Sequence, residues 1–503
     1  MTKTVTIVGA AIGGLSLAVR LARQGFSVSL FEKHQEPGGR CGRLQAGGYT
    51  FDIGPTILLM PDVVKETFTA VGAKVADYLT LERITPNYRI RFSDDSALTL
   101  DPDREALKRN IEAVMPGQTR HLDAFLELSR TQHDIAMREF VGRSFSGVAD
   151  FLRLDVFRAL SKTRALRSLH SVAAQHFTDP RLVQALTFQT MYLGLSPFSA
   201  PAIYGLLAHT ELDIGIYYPR GGMHALPRAL DRLASELGVR RHYGVAVKKV
   251  VRDGTRATGL LLDDGTHVRA DIVVCNADLS WAYDHLLDVP APRRLQRMHH
   301  TSSAVMFYFG VDRRCPELQH HNVFFDGDYK SGFADIFKHG RVPGAPSFYV
   351  AAPSRSDAAL APAGHEAIYV LVPVPNTSFG TDFSKEVAPL RAKVLQRLAR
   401  YGLADLERHI QVERVITPND WQQGFNLAHG SIFGLSQGVT QIGPFRPQHR
   451  DPRLDNLYFV GASTQPGTGI PTVMISARLA AERIVAEHGA SDPQRLFALE
   501  DAA

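Results

Sequence analysis

The chain has 503 residues, of which 45% are hydrophobic and 21% charged, a composition that excludes an intrinsically disordered protein. The formal net charge of +5, from 56 basic and 51 acidic side chains, is too small a surplus to indicate nucleic-acid binding by itself. The three scattered cysteines fit neither a disulfide framework nor a zinc site, so we expect a reducing, cytoplasmic compartment and no metal centre.

The first thirty residues predict the opening of a parallel nucleotide-binding sheet. The β-branched run Thr4–Val8 predicts a strand, Gly14–Gln24 predicts a helix, and Ser27–Phe31 predicts a second strand. Elsewhere no run reaches the length of about 18 apolar residues that a spanning helix requires, so we expect the chain not to cross a membrane.

Further along, the pattern changes from mainly helical to rich in strands. Amphipathic periodicity predicts helices at Arg104–Val114 and Thr119–Ala136. Asn456–Gly461 predicts a strand that runs into a glycine-rich turn, followed by a helix that ends near Glu487. Between these regions we expect five strands, at Gly259–Leu262, Ile272–Cys275, Ala304–Val311, Phe348–Ala352 and Ala367–Val374. The last three should form a separate antiparallel sheet.

The turn Gly9–Gly14, between the first strand and helix, predicts a dinucleotide site. The pyrophosphate needs close backbone approach and helix N-terminal amides, although Ala11 stands where the usual pattern has its second glycine. Glu32, at the end of the second strand, is placed to bind the ribose hydroxyls of an adenosine. A glycine turn that only packs helix on strand is the alternative. The residues expected here are Gly9, Ala11, Ile12, Gly13, Gly14 and Glu32.

Two segments that follow Glu32 extend the prediction from a dinucleotide to FAD. In Pro37–Arg40, Arg40 brings positive charge to a pyrophosphate, and in Phe51–Thr56, Gly54 gives backbone access near a flavin. A nicotinamide dehydrogenase does not need this pair. The residues expected to contact FAD here are Lys33, Gly39, Arg40, Gly54, Pro55 and Thr56.

The stretch Gly461–Val473 predicts a third contact with the cofactor. A second glycine-rich turn before a helix supplies amides and a positive helix end to the carbonyl side of a flavin ring. An ordinary strand-to-helix loop is the alternative. The residues expected here are Gly461, Ala462, Gly469, Ile470, Pro471 and Val473.

These segments resemble the bacterial phytoene desaturases and related carotenoid desaturases and isomerases of the flavin amine-oxidase superfamily. The resemblance covers almost the whole chain, and Tyr217–Met223 and the C-terminal block are specific to the carotenoid branch. Ser463 and Gln465 depart from it, since the family commonly has glycine and histidine there. The resemblance also places Val247 near the adenine, whereas its residue type alone indicates a core valine.

The resemblance implies FAD and a long, apolar polyene taken from a bilayer. A flavin accepts the hydride while a proton leaves the adjacent carbon, so the protein mainly orients the substrate and excludes water. We therefore name no catalytic side chain from the sequence. Arg446 and His429 lie in family motifs but suit structural or surface roles equally well. Whether oxygen or a quinone reoxidises the flavin stays open.

Several alternatives to a phytoene desaturase remain. A carotene cis-trans isomerase would use reduced flavin without net oxidation, and a late-acting desaturase would take a hydroxylated or methoxylated carotenoid. An amine oxidase would leave the carotenoid-branch motifs unexplained. A non-enzymatic protein of the same fold that binds prenylated GTPases would lack the full flavin-binding set.

The expected architecture is α/β, with a discontinuous Rossmann-like FAD-binding domain formed by 1–65, 225–290 and 450–503. A mainly helical region, 66–224, and an antiparallel-sheet substrate domain, 291–449, complete it. Bulky apolar and basic residues mix within 140–169, which suits peripheral contact with the inner face of the cell membrane. The charges do not segregate onto one helical face, so core packing with a solvated basic side is an equal alternative.

Overall fold

The computed structural model describes residues 2–145 and 161–489. The strands within these ranges, numbered in chain order, are β1 (Thr4–Val8), β2 (Ser27–Glu32), β3 (Arg43–Ala46), β4 (Tyr49–Asp52), β5 (Leu81–Arg83), β6 (Tyr88–Arg91), β7 (Ala97–Leu100), β8 (Tyr217–Pro219), β9 (Arg240–Tyr243), β10 (Val247–Asp253), β11 (Arg256–Leu262), β12 (His267–Arg269), β13 (Ile272–Cys275), β14 (Ser303–Val311), β15 (His321–Phe324), β16 (Phe348–Ala351), β17 (Glu366–Val374), β18 (Ile410–Ile416) and β19 (Leu457–Phe459).

The α-helices in the same ranges, numbered in the same way, are α1 (Ile12–Arg23), α2 (Pro61–Thr69), α3 (Arg104–Val114), α4 (Leu122–Ala136), α5 (Leu169–Ala173), α6 (Pro180–Ala185), α7 (Leu206–His209), α8 (Ala225–Glu236), α9 (Leu279–His285), α10 (Arg293–Gln296), α11 (Tyr329–Ala334), α12 (Phe383–Leu398), α13 (Pro418–Phe425) and α14 (Ile470–His488). Four π-helical turns in the described ranges directly follow α4, α7, α11 and α12, at Met137–Val141, Thr210–Ile214, Asp335–His339 and Ala399–Leu403. Within the described ranges, no helix is both long and apolar enough to cross a bilayer.

A five-stranded parallel sheet contains the N-terminal strand. Its order is β19-β13-β1-β2-β9, with β1 hydrogen-bonded to β2 on one side and to β13 on the other. Helix α1 connects β1 to β2 and packs against α8 and α14. All four residues of β13 are buried, as a parallel sheet covered on both faces requires. The predicted strand, helix, strand opening is confirmed.

A seven-stranded sheet forms the second layer, in the order β18-β14-β17-β16-β15-β6-β7. Strands β14 and β17 pair antiparallel in one continuous register, and side chains of β14 alternate between two apolar clusters. Phe307 and Phe309 pack in the cluster that contains α12, whereas Met306 and Tyr308 face the opposite cluster with Trp421. The antiparallel sheet predicted from this part of the chain is confirmed, and with it the α/β class.

The region 66–224, which we expected to be mainly helical, also contains short strands. Strands β6 and β7 extend the seven-stranded sheet, and β6 pairs with β15 in parallel. In β6, Tyr88 and Ile90 are buried while Arg89 and Arg91 are partly exposed, an alternation too short to stand out in the sequence. The residue limits of the three domains stay a prediction. Most of the segment proposed for membrane contact, 146–160, lies outside the described residues.

Candidate active site

The turn after β1 has the backbone geometry that a dinucleotide site requires. Gly9 has a φ of +99°, in the region that favours glycine. A Cβ on Gly14 would lie 2.1 Å from the carbonyl oxygen of Gly9, so only glycine lets α1 pack this closely on the strand. Ala11 has φ −78° and ψ 176°, an ordinary extended conformation, which explains why alanine replaces the usual glycine. The first turn of α1 has neither a side-chain cap nor an acidic residue, so its amides can face an anion.

Glu32 is 6% exposed, and its carboxylate accepts hydrogen bonds from backbone amides just after β1 and just after β2. Its Oε2 accepts from the amide of Ala10 at 2.8 Å, and its Oε1 accepts from the amide of His34 at 2.9 Å. Each carboxylate oxygen keeps further lone-pair capacity, which suits ribose hydroxyls. Glu32 therefore fixes the shape of the turn and presents an acceptor at the end of β2.

Lys33 and Val247 lie near this end of the sheet, but their side chains have protein partners. Lys33 Nζ donates to Asn426 Oδ1 at 2.9 Å, and burial lowers the pKa of Lys33. Val247 is half-buried and packs against the apolar cluster that contains Leu262. The interpretation of Val247 as a core residue is thus supported by its packing, while its predicted contact with the cofactor stays a prediction.

The loop after β2 folds back onto the first turn. The amide of Gly38 donates to the carbonyl of Ala10 at 2.9 Å, and a Cβ on Gly54 would lie 2.5 Å from the Arg40 carbonyl. The guanidinium of Arg40 donates to the Ile432 carbonyl at 2.8 Å. Burial lowers the pKa of Arg40, and nearby Asp278 opposes this shift. A positive charge is thus held beside two glycine-containing turns.

The C-terminal turn brings a second helix N-terminus to the same place. Gly461 and Gly469 have φ values of +119° and +111°, and α14 starts directly after Gly469. The first turn of α14 contains Pro471 and has no acidic residue and no side-chain cap. The N-terminus of α14 therefore adds a second positive helix end.

Asn276, directly after β13, lies against glycines of both turns and was not among the predicted site residues. Its Nδ2 donates to the Gly9 carbonyl at 3.2 Å. A Cβ on Gly13 would lie 2.6 Å from Asn276 Oδ1, and a Cβ on Gly461 would lie 3.1 Å from the same atom. The carboxyl ends of adjacent parallel strands meet at one sheet edge, and this rule could have identified Asn276 from the predicted β1 and β13.

Arg446 has a structural role in the C-terminal turn. It is 1% exposed and donates five hydrogen bonds to backbone carbonyls, including those of Thr464 and Leu435, and burial lowers its pKa to about 10.

The two departures from the family pattern, Ser463 and Gln465, are also accommodated by hydrogen bonds. Ser463 Oγ donates to Asp278 at 3.1 Å, and Gln465 bonds both backbone polar groups of Phe145.

All these turns border one cavity of about 480 Å³, a typical volume for a cofactor or ligand site. Gly9, Gly14, Glu32, Lys33, Gly39 and Val247 are not among its lining residues. The predicted residues that line it are Ala11, Ile12, Gly13, Arg40, Gly54, Pro55, Thr56, Gly461, Ala462, Gly469, Ile470, Pro471 and Val473.

The residues of this end of the cavity fit FAD. Two helix N-termini without side-chain caps and the Arg40 guanidinium converge there, which suits a pyrophosphate. Glu32, at the end of β2, suits the hydroxyl groups of the adenosine ribose, and its negative charge would repel a phosphorylated ribose. The glycines at positions 13, 54 and 461 leave the backbone accessible along the cavity wall.

The rest of the cavity is apolar and aromatic. It extends between the seven-stranded sheet and the helical region, where its wall includes Phe188, Phe325, Phe333 and Trp421. The charged side chains among its described lining residues are Arg40 and Asp278 at the glycine turns, and Asp326 and Asp328. Asp328 is exposed, which places the second acidic pair towards solvent. The part between the two charged ends therefore suits a long apolar molecule.

Residues 12–485 match the family of flavin-containing amine oxidoreductases. The chain is 52% identical to a zeta-carotene-forming phytoene desaturase from Myxococcus xanthus over 486 residues, covering 96% of this chain and 94% of that protein. It is 37% identical to a phytoene desaturase from Fusarium fujikuroi, with 98% and 91% of the two chains covered. A solved putrescine oxidase variant has the same fold, with a TM-score of 0.65 at 15% identity over 97% of this chain and 99% of that one.

Proposed function

Because the chain belongs to the family of flavin-containing amine oxidoreductases, we propose that it desaturates a carotenoid, either phytoene or a carotene derived from it. It is a flavin-dependent oxidoreductase with FAD as cofactor. The observation that carries the substrate proposal is the 52% identity to a phytoene desaturase along nearly the whole of both chains. The apolar wall of the cavity is the supporting feature, since a neutral polyene offers no polar group for recognition.

The proposed cofactor contacts are the predicted set from Gly9 to Val473, with Asn276 as an organising residue. Bound FAD supplies the hydride acceptor for the oxidation of a carbon–carbon single bond. The first turn and Arg40 would hold the pyrophosphate, Glu32 the ribose, and the N-terminus of α14 the flavin end of the molecule. The glycine turns and the apolar wall belong to the same cavity, so a polyene inside it would lie against the cofactor.

The apolar wall performs two tasks in this proposal. Each buried methylene of the substrate contributes about 0.8 kcal/mol to binding. Aromatic side chains such as Phe188, Phe325 and Phe333 keep the chain extended and exclude water from the reacting carbons. The protein thus orients the substrate largely without polar contacts to it.

The decisive experiment is incubation of the purified, FAD-loaded protein with phytoene in liposomes, followed by chromatography. We expect products with longer conjugation that absorb at longer wavelength, and protein stripped of FAD serves as the control. Turnover of a later carotene but not of phytoene would indicate a late-acting desaturase. A geometric isomer with an unchanged number of double bonds would indicate an isomerase. A protein that takes up no FAD, remains colourless and gives no turnover would indicate a binding module.

We also propose that the segment 140–169 contacts a membrane on the cytoplasmic side. Within its described part, Leu166 is 79% exposed between the exposed side chains of Arg164 and Arg167, and Phe140 lines the cavity. An apolar tip flanked by basic side chains suits an anionic lipid surface. The location of Phe140 would then connect the lipid to the substrate cavity.

Liposome flotation tests this contact. We expect Leu166→Asp to reduce binding to anionic liposomes, because the substitution places a carboxylate at the apolar tip. Phe379→Asp is the matched control, since Phe379 is 47% exposed and belongs to a different part of the chain. Equal flotation of wild type and Leu166→Asp would refute the contact. Repeating the turnover assay with either dioxygen or a quinone as the sole oxidant would identify the electron acceptor.

A further inference from the structure

Glu211 is a buried carboxylate near the cavity, and it has no role in the function proposed above. It lies in the π-helical turn that follows α7, a local structure often found at functional sites, and it is 1% exposed. Its Oε1 accepts from Tyr88 Oη at 2.9 Å and its Oε2 accepts from Gln189 Nε2 at 3.1 Å. Two neutral donors therefore satisfy a side chain that is normally charged.

A hydrogen-bonded path connects Glu211 to the cavity. Tyr192 lines the cavity, and its hydroxyl donates to the hydroxyl of Tyr88, which donates in turn to Glu211. Both hydroxyls donate towards the carboxylate, so the lone pairs of Tyr192 Oη remain available as acceptors. The three residues come from β6, the segment after α6, and the turn after α7.

The charge of Glu211 has no basic partner among the described residues, and this distinguishes it from the other fully buried glutamate. Glu366 is 0% exposed, but guanidinium nitrogens of Arg314 and Arg355 lie 3.6 and 3.9 Å from its carboxylate. Burial raises the pKa of Glu211 to about 8, while its hydrogen bonds oppose the shift. A buried carboxylate without a cation holds a proton near neutral pH instead of forming an ion pair.

Three tyrosines and His321 lie around Glu211, and none of these four groups changes charge near neutral pH. Burial raises the pKa values of Tyr88, Tyr192 and Tyr349, so all three remain neutral phenols. His321, which shares a 2.6 Å hydrogen bond with Tyr349, has a pKa held well below its usual value by burial. On the solvent side of the same helical segment, His209 is paired with the exposed Asp213.

We infer that Tyr192 receives the proton released from the polyene and that Glu211, acting through Tyr88 and Tyr192, is the final acceptor of that proton. The inference rests on the proposed function. Bound FAD would accept a hydride from one carbon of the substrate, and the electron pair of a C–H bond on the adjacent carbon would become the new double bond. The proton of that bond passes to Tyr192 Oη, Tyr192 passes its own proton to Tyr88, and Tyr88 protonates Glu211. Tyr192 is the residue that contacts the substrate, while Tyr88 and Glu211 are positioning residues.

Anaerobic single-turnover reduction of bound FAD by a carotene in liposomes, followed from pH 6 to pH 10 in the FAD-loaded protein, tests the path. Glu211 accepts a proton only as the carboxylate, so the wild-type rate falls by about tenfold per pH unit below its pKa. Loss of a general base typically costs about 10²–10⁴-fold in rate. We therefore expect Glu211→Gln to lose at least about 100-fold at pH 9 and to lose the pH dependence. Tyr192→Phe, which keeps the carboxylate, should lose rate by a similar factor.

Tyr283 and Asp451 provide matched controls. They form another buried pair of tyrosine and carboxylate, with a hydrogen bond of 2.6 Å, and neither residue lines the cavity. Tyr283→Phe and Asp451→Asn should retain the wild-type rate within about twofold. FAD absorbance and thermal unfolding of each variant verify that it is folded and loaded.

Infrared titration gives a readout that does not depend on turnover. The carbonyl band of protonated Glu211 should disappear as the pH rises through about 8 in wild type and in Asp451→Asn, and should be missing from Glu211→Gln, which retains only the separate band of Asp52 with its pKa of about 7. If Glu211→Gln keeps both the rate and its pH dependence, or if the band does not titrate, the inference is overturned while the proposed function stands. If no carotene reduces FAD in the wild type, the proposed function fails, and the inference fails with it.

Discussion

The most direct test of the cofactor site is substitution of Glu32. Both oxygens of its carboxylate accept from backbone amides, those of Ala10 and His34, at 2.8 and 2.9 Å. Glu32→Gln keeps the shape of the side chain but turns one acceptor into a donor and removes the charge. At least one hydrogen bond to a charged group is lost, either within the turn or to the ribose, and such a bond is worth about 1.5–3 kcal/mol. We therefore expect FAD to bind about 10- to 150-fold more weakly.

The assay is titration of apoprotein with FAD, with quenching of flavin fluorescence as the signal. Glu36→Gln is the matched control from the loop that follows. The side chain of Glu36 is 51% exposed, and its ion pair with Arg43 is of the exposed kind that contributes at most about 1 kcal/mol. We expect its FAD affinity to stay within about twofold of wild type. If Glu32→Gln bound FAD as tightly as this control, the proposed role of Glu32 would be refuted.

Three further predictions concern the framework of the site. Gly14→Ala places a Cβ 2.1 Å from a backbone oxygen and should destabilise the protein by about 1–3 kcal/mol, which a lower melting temperature would show. Gly424→Ala is the control and should leave the melting temperature unchanged, because no heavy atom lies within 4 Å of the new Cβ. Arg446→Met removes five hydrogen bonds to backbone carbonyls, so we expect a lower melting temperature together with loss of FAD, and retention of FAD would contradict the proposed role of the C-terminal turn. Burial raises the pKa of Asp52 to about 7. As the pH rises from about 4 to about 7, Asp52 ionises in the unfolded state before it ionises in the folded state, so the wild type should lose stability relative to Asp52→Asn. A difference in melting temperature between the two proteins that does not change with pH would exclude this.

The parts of the fold that were predictable depend on short-range patterns. The strand β1, the helix α3 and the strand β13 follow from β-branched runs and from helical periodicity, and the structure gives them the predicted limits. The glycine turns were also predictable, because a positive φ or a close backbone approach restricts the residue type at Gly9 and Gly14.

The unpredicted features depend on contacts between distant segments. Asn276 becomes important only when the parallel sheet brings β13 next to β1, so that one amide contacts several glycines. The path from Tyr192 through Tyr88 to Glu211 joins positions up to 123 residues apart. Each of these residues has an ordinary core or helical interpretation in its own segment, so local pattern analysis cannot identify the path.

The seven-stranded sheet also fixes the cofactor loop, and this links the two halves of the site. Tyr308 Oη donates to the Ile53 carbonyl at 2.6 Å, Tyr369 Oη donates to the Gly54 carbonyl at 2.7 Å, and Thr56 shares a 2.9 Å hydrogen bond with Tyr349. Burial raises the pKa values of all three tyrosines, so they stay neutral. Because Tyr349 and Tyr369 also line the cavity, a change in the shape of the substrate wall would displace the loop proposed to contact FAD. We therefore expect substitutions of Tyr349 or Tyr369 to alter the cofactor loop as well as the cavity wall, and variants that only widen the cavity should be sought among its other lining residues.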